Sequence, residues 1–585
     1  MRRTKIVATM GPACDTPERL EAVIRAGADV IRINLSHGTP ADLARRLETV
    51  AAVRTRLAPE RVVGLMLDTR GPEIRIGDVP PDTQLQPGER VRLSPRPGPA
   101  AGRELRLSVD YDRLAADVRP GQTVLVDDGN LVWEVEAVEG ADVLLRVRAG
   151  GPLKSGKKLN VPGAELALPV LLPEDERDLA AGLRAGADFV AASFIRRAED
   201  VIAVRRVIEA CGRDAAVIAK IETRQAVERI GEILKAADGV MVARGDLGVE
   251  CAPEDVPLIQ KDIIRRCAEQ GKPVITATQM LESMVAHPRP TRAEAADVAN
   301  AILDGTDAVM LSAESAAGLY PVEAVAVMAR IAERTEEAFP HEEWLARYAR
   351  AAAGGVTDAV CHATVAAAAD LSADAIITAT ESGFTARMVA RLRPRARILA
   401  VTPDPATLRR LTLVWGVEPY PMEVARGTDD LLERAVRAVQ ARGAVRDGDL
   451  VVITAGLPAG VRGTTNLMKV HTVGDVILRG QGLGQGAATG PVHVALRPAD
   501  LAGFRPGAVL VAPATDRAWM DAIRQAAAVI TEEGGLTSHA AVVGISLGIP
   551  TIVGAKGATA QLKTGQVVTV DSQRGLVYPG EARTL

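Results

Sequence analysis

Short runs of β-branched and other apolar residues alternate along the chain with stretches rich in Ala, Leu, Arg and Glu. Apolar runs of about four to eight residues are typical of buried strands, and the stretches between them have the composition of helices. The first part of the chain contains eight such strands, and eight βα repeats in this order predict a closed (β/α)8 TIM barrel. The predicted strands are Lys5–Thr9, Val30–Asn34, Gly64–Leu67, Phe189–Ala192, Val217–Ile221, Gly239–Val242, Pro273–Ala277 and Ala308–Leu311.

Two changes of this rhythm predict further domains. Between the third and fourth strands, Gly, Pro and Asp split short apolar runs, which predicts an inserted all-β domain at residues 72–163. The flanking residues 1–71 and 164–345 then form the barrel. A second βα series predicts an open α/β domain at residues 346–474, so the chain as a whole is of the α/β class. The strands predicted in these two domains are Arg90–Leu93, Glu104–Val109, Thr123–Val126, Asn130–Val138, Asp142–Val147, Ala375–Thr378, Arg397–Val401 and Leu450–Thr454.

A glycine-rich stretch, Gly480–Gly490, follows the open α/β domain. Glycine-rich segments are typical of flexible linkers. The stretch therefore predicts a linker, and residues 482–585 are predicted to form a separate appended domain.

The composition indicates which kinds of binding partner to expect. Hydrophobic residues make up 47% of the 585 residues, which is enough for packed cores. The formal net charge of −4 predicts no binding of nucleic acid or of an anionic membrane. The five cysteines form no CxxC pair, and no apolar run resembles a signal peptide or a membrane span. These features predict a cytoplasmic protein whose ligands are small molecules.

Polar side chains mark the ends of five of the eight predicted strands. The C-terminal ends of the strands of such a barrel meet at one face, where the reacting groups lie. A single polar residue there is more often a helix cap or a solvated loop residue, but five polar strand ends together predict one cleft. The residues are Arg32, Asn34, Ser36 and His37 at the second strand, Asp68, Thr69 and Arg70 at the third, Lys220 and Glu222 at the fifth, Arg244 and Asp246 at the sixth, and Thr278 and Gln279 at the seventh.

Two carboxylates and a lysine in this set predict phosphoryl chemistry. Glu222 and Asp246 lie at adjacent strand ends, where they can hold Mg²⁺ together with substrate oxygens and water. Lys220 lies two residues before Glu222 and so on the same side of its strand, where its ammonium can stabilise a phosphoryl group in transit. The alternative for Lys220 is a structural ion pair. The glycine turn at Gly245 can bring backbone N–H groups close to a carboxylate ligand.

A second group carries side-chain oxygens on neighbouring strands. This composition suits a hard monovalent or divalent cation. A hydrogen-bonded polar layer that closes the barrel mouth accounts for it equally well. The residues are Asn34, Ser36, Asp68 and Thr69.

Five long motifs within residues 1–474 resemble those of the pyruvate kinase family. The resemblance implies transfer of a phosphoryl group from phosphoenolpyruvate to ADP, which gives pyruvate and ATP, with Mg²⁺ and K⁺ as cofactors. It also implies that the inserted domain is a β-barrel lid over the cleft and that the protein is a homotetramer. The motifs are Ile31–Gly38 (IRINLSHG), Leu67–Arg75 (LDTRGPEIR), Lys220–Glu222 (KIE), Met241–Glu250 (MVARGDLGVE) and Ala277–Met284 (ATQMLESM).

The resemblance also implies a role for each matching residue. Arg32 would contact the substrate phosphate, Lys220 would stabilise the phosphoryl group in transit, and Thr278 would lie near the carbon that is protonated afterwards. These three are the implied catalytic residues. The backbone at Gly245 and Asp246 would bind the substrate carboxylate. The implied Mg²⁺ ligands are Glu222 and Asp246, the implied K⁺ ligands are Asn34, Ser36, Asp68 and Thr69, and the implied nucleotide contacts are Asn34, Ser36, His37, Arg75 and Lys157.

The K⁺ prediction has support and departures in the same segment. Glu73 stands where K⁺-dependent members of the family carry a glutamate. Arg70 and Ile76, in contrast, stand where such members more often have Lys and Thr.

A turn in the open α/β domain resembles the family's effector loop. It follows a predicted strand and precedes a helical run, so that its hydroxyl and N–H groups could hold a phosphate. The resemblance implies activation by a phosphorylated metabolite, a sugar phosphate or AMP, whereas an ordinary strand-to-helix turn is the alternative. The implied effector residues are Thr380, Ser382, Gly383 and Thr385.

The appended domain contains a segment, Glu532–Val543, that resembles the phosphohistidine segment of phosphoenolpyruvate synthases and dikinases. His539 matches the histidine that is phosphorylated there, and histidine can carry a phosphoryl group covalently. Ile545 stands where those enzymes generally have an arginine. A structural or regulatory remnant is therefore favoured over a phosphocarrier. The rival functions for the whole chain are a phosphoenolpyruvate synthase or dikinase that uses His539 and a sensor that binds phosphoenolpyruvate or a sugar phosphate without turnover.

Overall fold

The structure is a computed structural model. It describes residues 2–58, 60–96, 104–351, 355–457, 464–474, 476–484 and 486–582. The chain divides into two compact units. The first contains Met1–His362, Thr380–Pro394 and Thr402–Pro421, and the second contains Ala363–Ala379, Arg395–Val401 and Met422–Leu585.

The eight predicted barrel strands are present, and they close into a parallel barrel. Each strand pairs with its neighbours in chain order, and the first strand pairs with the last, with Lys5 opposite Ala308. The strand residues are almost entirely buried, which is why they read as continuous apolar runs. The prediction of a closed barrel is confirmed. The strands are Lys5–Met10, Val30–Asn34, Gly64–Asp68, Phe189–Ala192, Ala216–Ile221, Gly239–Ala243, Val274–Ala277 and Ala308–Leu311.

Helices surround this barrel, and capping residues stabilise the N-termini of several of them. Thr39 and Thr291 each form a capping box with the acidic residue three positions later, Asp42 and Glu294 respectively. The α-helices are Pro17–Ala26, Pro40–Leu57, Pro173–Arg184, Ala198–Ala210, Arg224–Glu228, Ile230–Ala236, Arg244–Glu250, Val256–Gln270, Arg292–Leu303, Ala313–Ala316, Pro321–Glu336 and His341–Ala351.

The inserted domain is a curled sheet of seven strands around a core that includes the fully buried Trp133. An antiparallel bridge between Ile76 and Val109 connects the two edges of the sheet. Gly77 N donates to Ser108 O at 2.8 Å beside this bridge. The seven strands of this sheet are Ile74–Arg75, Arg90–Ser94, Leu105–Ser108, Thr123–Val126, Leu131–Glu139, Asp142–Ala149 and Lys158–Asn160. Gln84–Leu85 and Gly151–Pro152 form a separate two-stranded sheet, and Leu114–Asp117 is a short helix.

The second βα series forms an open α/β layer, as predicted. In the second compact unit, Ala375–Ala379 pairs in parallel with Arg397–Thr402 and with Leu450–Ala455, and Leu467–Thr472 adds an antiparallel edge. The remaining elements of this part of the chain are the helices Val356–Asp370, Phe384–Ala390, Pro405–Arg410 and Thr428–Gln440 and the strand Val417–Pro421.

The appended domain is built on an eight-stranded sheet. No helix in the described part of the chain is both long and apolar enough to cross a membrane. The strands are Leu478–Arg479, Gln481–Leu483, Ala487–Val494, Val509–Ala512, Ala528–Thr531, Thr551–Val553, Val567–Asp571 and Leu576–Pro579, and the α-helices are Met520–Gln525, His539–Leu547 and Ala558–Gln561.

The interpretation of Gly480–Gly490 as a linker is wrong, because strands of this sheet occupy much of the segment. Its glycines allow close packing of the backbone. A Cβ atom on Gly482 would lie 2.0 Å from Ser572 O, and a Cβ on Gly490 would lie 2.6 Å from Gly507 O. Glycine at these positions lets two backbone segments approach each other closely. A segment that packs in this way is as rich in glycine as a flexible linker, so composition alone does not distinguish the two.

Candidate active site

The carboxyl ends of the barrel strands bring two cations, the buried Arg32 and the partly buried Lys220, onto the buried carboxylate of Asp68. Asp68 Oδ2 accepts from Arg32 Nε at 2.6 Å, and Asp68 Oδ1 accepts from Lys220 Nζ at 3.0 Å. Arg32 Nη1 also donates to Thr9 Oγ1 at 2.9 Å. Burial acts to raise the pKa of Asp68, but Arg32 and Lys220 outweigh it and hold that pKa below its ordinary value.

Lys220 is the centre of the site. Its ammonium contacts Ser193 Oγ at 2.7 Å, Glu222 Oε1 at 2.9 Å and Asp68 Oδ1 at 3.0 Å. An ammonium has three N–H groups, so these three acceptors satisfy it fully. Burial acts to lower the pKa of Lys220, and the two carboxylates reverse this effect, so that the pKa is raised. The lysine is therefore a permanent positive charge at neutral pH.

Glu222 is a buried carboxylate with a second fixed contact. Phe194 N donates to Glu222 Oε2 at 2.5 Å, while Lys220 contacts the other oxygen. Burial and the nearby carboxylate of Asp246 raise the pKa of Glu222, against the opposing effect of Lys220. In such surroundings a nearby cation stabilises the ionised form of the carboxylate.

Glu222 and Asp246 fit the chemistry of a Mg²⁺ site, because both offer hard carboxylate oxygens beside one cleft. In the described part of the chain, no group of three or more His, Cys, Asp or Glu side chains could hold a metal ion. A divalent ion at this pair would therefore complete its coordination with substrate and water oxygens.

Lys158, on the last strand of the inserted domain, is a site residue that the sequence interpretation missed. Its Nζ lies 2.6 Å from Asp246 Oδ1, 3.7 Å from Glu73 Oε1 and 4.7 Å from the centroid of the Phe194 ring. Burial acts to lower the pKa of Lys158, but Asp246 outweighs it and the pKa is raised. The inserted domain therefore delivers a positive charge to the barrel cleft. The scarcity of lysine, 11 residues against 59 arginines, is a sequence signal that could have drawn attention to it.

The two residues of the inserted domain that were predicted to contact the nucleotide lie differently. Lys157 Nζ contacts Asp127 Oδ1 at 2.5 Å inside the inserted domain. Arg75 is half-exposed, donates to Gly156 O at 2.8 Å and pairs with Glu73. Their nucleotide role stays a prediction.

Thr278 lies in a strained turn after the seventh strand. It has φ = 67° and the following residue, Gln279, has φ = 54°, values that non-glycine residues rarely adopt. Arg244 supports the turn by donating from Nη2 to Thr278 O at 2.8 Å and from Nε to Ala277 O at 3.2 Å. Gly245 N donates to Thr278 Oγ1 at 2.8 Å. The turn thus brings Thr278 into contact with Gly245.

The four residues predicted to bind K⁺ lie at or just after the C-terminal ends of the second and third barrel strands. Asn34 is directly opposite Asp68 in the register of the two strands, and Asn34 Oδ1 accepts from Ser36 N at 3.1 Å. Thr69 Oγ1 accepts from Ser193 N at 3.0 Å. The set offers only oxygen donors, which fits a hard cation, although several of these oxygens already accept bonds from the protein. Ser36 and the neighbouring His37 are exposed.

The predicted effector turn belongs to the first compact unit. Gly383 has φ = 77° and comes directly before the helix Phe384–Ala390. Thr380 and Thr385 are buried, and Ser382 is half-buried. Ser382 O accepts from Arg387 Nη1 at 3.3 Å. Ser382 thus has the most accessible of the three hydroxyl groups.

His539 is the first residue of the helix His539–Leu547 in the appended domain. Its Nδ1 lies 3.1 Å from Thr515 Oγ1. Three apolar residues of the same helix are exposed, Val542, Ile545 and Leu547. Whether His539 carries a phosphoryl group stays a prediction.

Comparison with known proteins matches three families along the chain. "Pyruvate kinase, barrel domain" matches residues 1–325, "Pyruvate kinase, alpha/beta domain" matches residues 358–471, and "PEP-utilising enzyme, mobile domain" matches residues 504–575.

Curated relatives and a solved structure agree with these matches. Pyruvate kinases of Geobacillus stearothermophilus and Bacillus licheniformis are 49% and 48% identical to this chain, each over the full length of both proteins. A crystal structure of a pyruvate kinase from Cryptosporidium parvum superimposes with a TM-score of 0.75 at 34% identity and covers 80% of this chain and 96% of its own.

Proposed function

The chain belongs to the pyruvate kinase family, and on that premise we propose that its barrel cleft transfers the phosphoryl group of phosphoenolpyruvate to ADP. The observation that carries the proposal is Lys220, a partly buried and permanently charged ammonium among Asp68, Glu222 and Ser193. Phosphoryl transfer spreads negative charge over the oxygens of the migrating group, and a fixed cation stabilises that charge.

Each of the other site residues has a distinct task in this proposal. Arg32 binds the phosphate of the substrate, and Asp68 holds the two cations in place. Glu222 and Asp246 bind Mg²⁺, which would neutralise charge on the reacting oxygens as a Lewis acid. The backbone at Gly245 and Asp246 receives the substrate carboxylate, and Thr278 lies beside the carbon that takes up a proton after transfer. Asn34, Ser36, Asp68 and Thr69 bind K⁺.

The inserted domain acts as a lid in this proposal. Lys158 contacts Asp246 and so joins the inserted domain to the cleft. A closed lid excludes water, which would otherwise compete with ADP for the phosphoryl group. Arg75, Lys157 and His37 bind the nucleotide together with Asn34 and Ser36.

Dependence on cations tests the proposal directly. Pyruvate formation from phosphoenolpyruvate and ADP should stop when divalent ions are chelated and return when Mg²⁺ is restored. Exchange of K⁺ for a large organic cation at constant ionic strength should lower the rate. ATP as the second product supports the kinase. A synthase would instead convert pyruvate, ATP and water into phosphoenolpyruvate, AMP and phosphate, and substrate binding without any product would indicate a sensor.

The effector turn gives the proposal a regulatory part. A phosphorylated metabolite, such as a sugar phosphate or AMP, binds at Thr380, Ser382, Gly383 and Thr385 and activates the enzyme. Substrate saturation curves should therefore shift to lower phosphoenolpyruvate concentration with at least one member of a panel of such metabolites. Ser382→Asp should abolish this shift, because its carboxylate repels the phosphate. Ser546→Asp, at an exposed position in the appended domain, is the matched control and should keep the shift. Curves that no metabolite moves would contradict this part.

A further inference from the structure

The fourth barrel strand is Phe189–Ala192. The residues that follow it have no role in the site that was predicted from the sequence. The next residue, Ser193, is only 2% exposed. Its Oγ lies 2.7 Å from Lys220 Nζ, the shortest of the three contacts of that ammonium.

The chemistry of the partners fixes the direction of each hydrogen bond around Ser193. An ammonium can only donate, so Ser193 Oγ must accept from Lys220. The single hydroxyl proton must then be given elsewhere, and Thr69 O accepts it at 2.7 Å, a shorter contact than the 3.3 Å to Asp68 Oδ1. Ser193 N in turn donates to Thr69 Oγ1 at 3.0 Å. Two bonds to Thr69 thus hold Ser193 with one lone pair aimed at Lys220.

Ser193 differs from the other two partners of Lys220 because it carries no charge. Asp68 and Glu222 attract the ammonium and also offset its positive charge. A neutral acceptor restricts the direction of the side chain while leaving its charge available to a phosphoryl group. The turn contributes twice, since the next residue, Phe194, donates its N–H to Glu222.

We propose that Ser193 is a positioning residue for phosphoryl transfer, whose hydroxyl, oriented by Thr69, aims the Lys220 ammonium at the migrating group. This inference rests on the proposed role of Lys220. Ser193 acts through that lysine, so its loss should affect the transfer step and leave substrate binding largely intact.

Ser193→Ala removes the acceptor and little else. The expected result is a kcat about 10- to 100-fold lower, because a lysine displaced by roughly 1 Å loses that much of its effect. The KM for phosphoenolpyruvate should change less than about threefold, since Arg32 and the backbone at Gly245 still bind the substrate. Steady-state kinetics measures both quantities, and thermal unfolding reports on the fold.

A control and a double variant separate positioning from stability. Thr306 is equally buried, bonds Thr276 Oγ1 at 3.0 Å and Val274 O at 3.1 Å, and lies at the opposite end of the barrel. Thr306→Val should lower the unfolding temperature at least as much as Ser193→Ala while keeping the normal kcat. In a Lys220→Met background, Ser193→Ala should cause no further loss, because its target is absent.

Three results would overturn the inference. A normal kcat in Ser193→Ala would show that the hydroxyl does not matter for transfer. Full additivity of the two substitutions would show that Ser193 does not act through Lys220. A normal kcat in Lys220→Met alone would remove the proposed role of Lys220 first, and the inference with it.

Discussion

Lys220→Met should lower kcat for pyruvate formation by about a thousandfold or more. The substitution keeps much of the length of the side chain and removes the one ammonium that contacts Asp68, Glu222 and Ser193 together. Removing a single pre-organised group that stabilises developing charge typically costs about 10²- to 10³-fold, and a full charge at a buried position belongs at the upper end. Steady-state kinetics at saturating phosphoenolpyruvate and ADP measures the effect.

The matched control is Lys261→Met. Lys261 is exposed and pairs with Asp304 on the outside of the barrel. This variant should keep the kcat of the unmodified chain, since exposed ion pairs contribute little. A Lys220→Met variant with kcat within about tenfold of normal would contradict the proposed catalytic role, and so would equal losses in the two lysine variants.

Asp68→Asn should destabilise the protein and also abolish most of its activity. The neutral amide leaves Arg32 and Lys220 buried with much of their charge uncompensated, and breaking a buried ion pair on one side typically costs about 3–5 kcal/mol. The unfolding temperature should therefore fall by several degrees. Activity should fall because Asp68 holds both cations in place. Thermal unfolding and steady-state kinetics on the same preparation measure the two effects.

The pKa of Asp68 determines the pH range in which Asp68→Asn is less stable than the unmodified chain. Because that pKa is depressed in the folded state, the carboxylate contributes its full stability above its ordinary value of about 3.9 and loses it as the pH falls through the folded value. The difference in unfolding temperature should be largest near neutral pH and should shrink in acid.

Asp188→Asn separates the two effects. Asp188 is a buried carboxylate that pairs with Arg54 and contacts Arg409 Nε at 2.7 Å, away from the cleft. The Asp188→Asn variant should lose about as much stability as Asp68→Asn. At temperatures where it stays folded, it should keep the kcat of the unmodified chain. If Asp68→Asn behaved like Asp188→Asn in both measurements, Asp68 would be structural only.

Much of the cleft was predictable from the sequence because a (β/α)8 barrel has one face for all its strand ends. Arg32, Asp68, Lys220 and Glu222 are polar residues at the ends of apolar runs, and the structure brings all four into contact. The barrel topology converts positions far apart in the chain into neighbours.

Residues whose role depends on orientation could not be predicted in this way. Lys157 and Lys158 are adjacent, and successive side chains of a strand point to opposite faces. Which of them reaches the cleft depends on the register of the inserted sheet, and the structure turns Lys158 toward Asp246 and Lys157 toward Asp127. No sequence signal pointed to Ser193, because a single serine is common in the turns that follow strands.

The sequence by itself determined the closed barrel, the open α/β layer and the polar strand ends, because buried strands and amphipathic helices impose their periods on the order of residues. Only the tertiary structure decided which partners each charge meets, such as Ser193 beside Lys220 and Lys158 beside Asp246. It also decided that the glycines of Gly480–Gly490 serve close packing of strands. These outcomes depend on distances between segments far apart in the chain, and local composition carries no record of such distances.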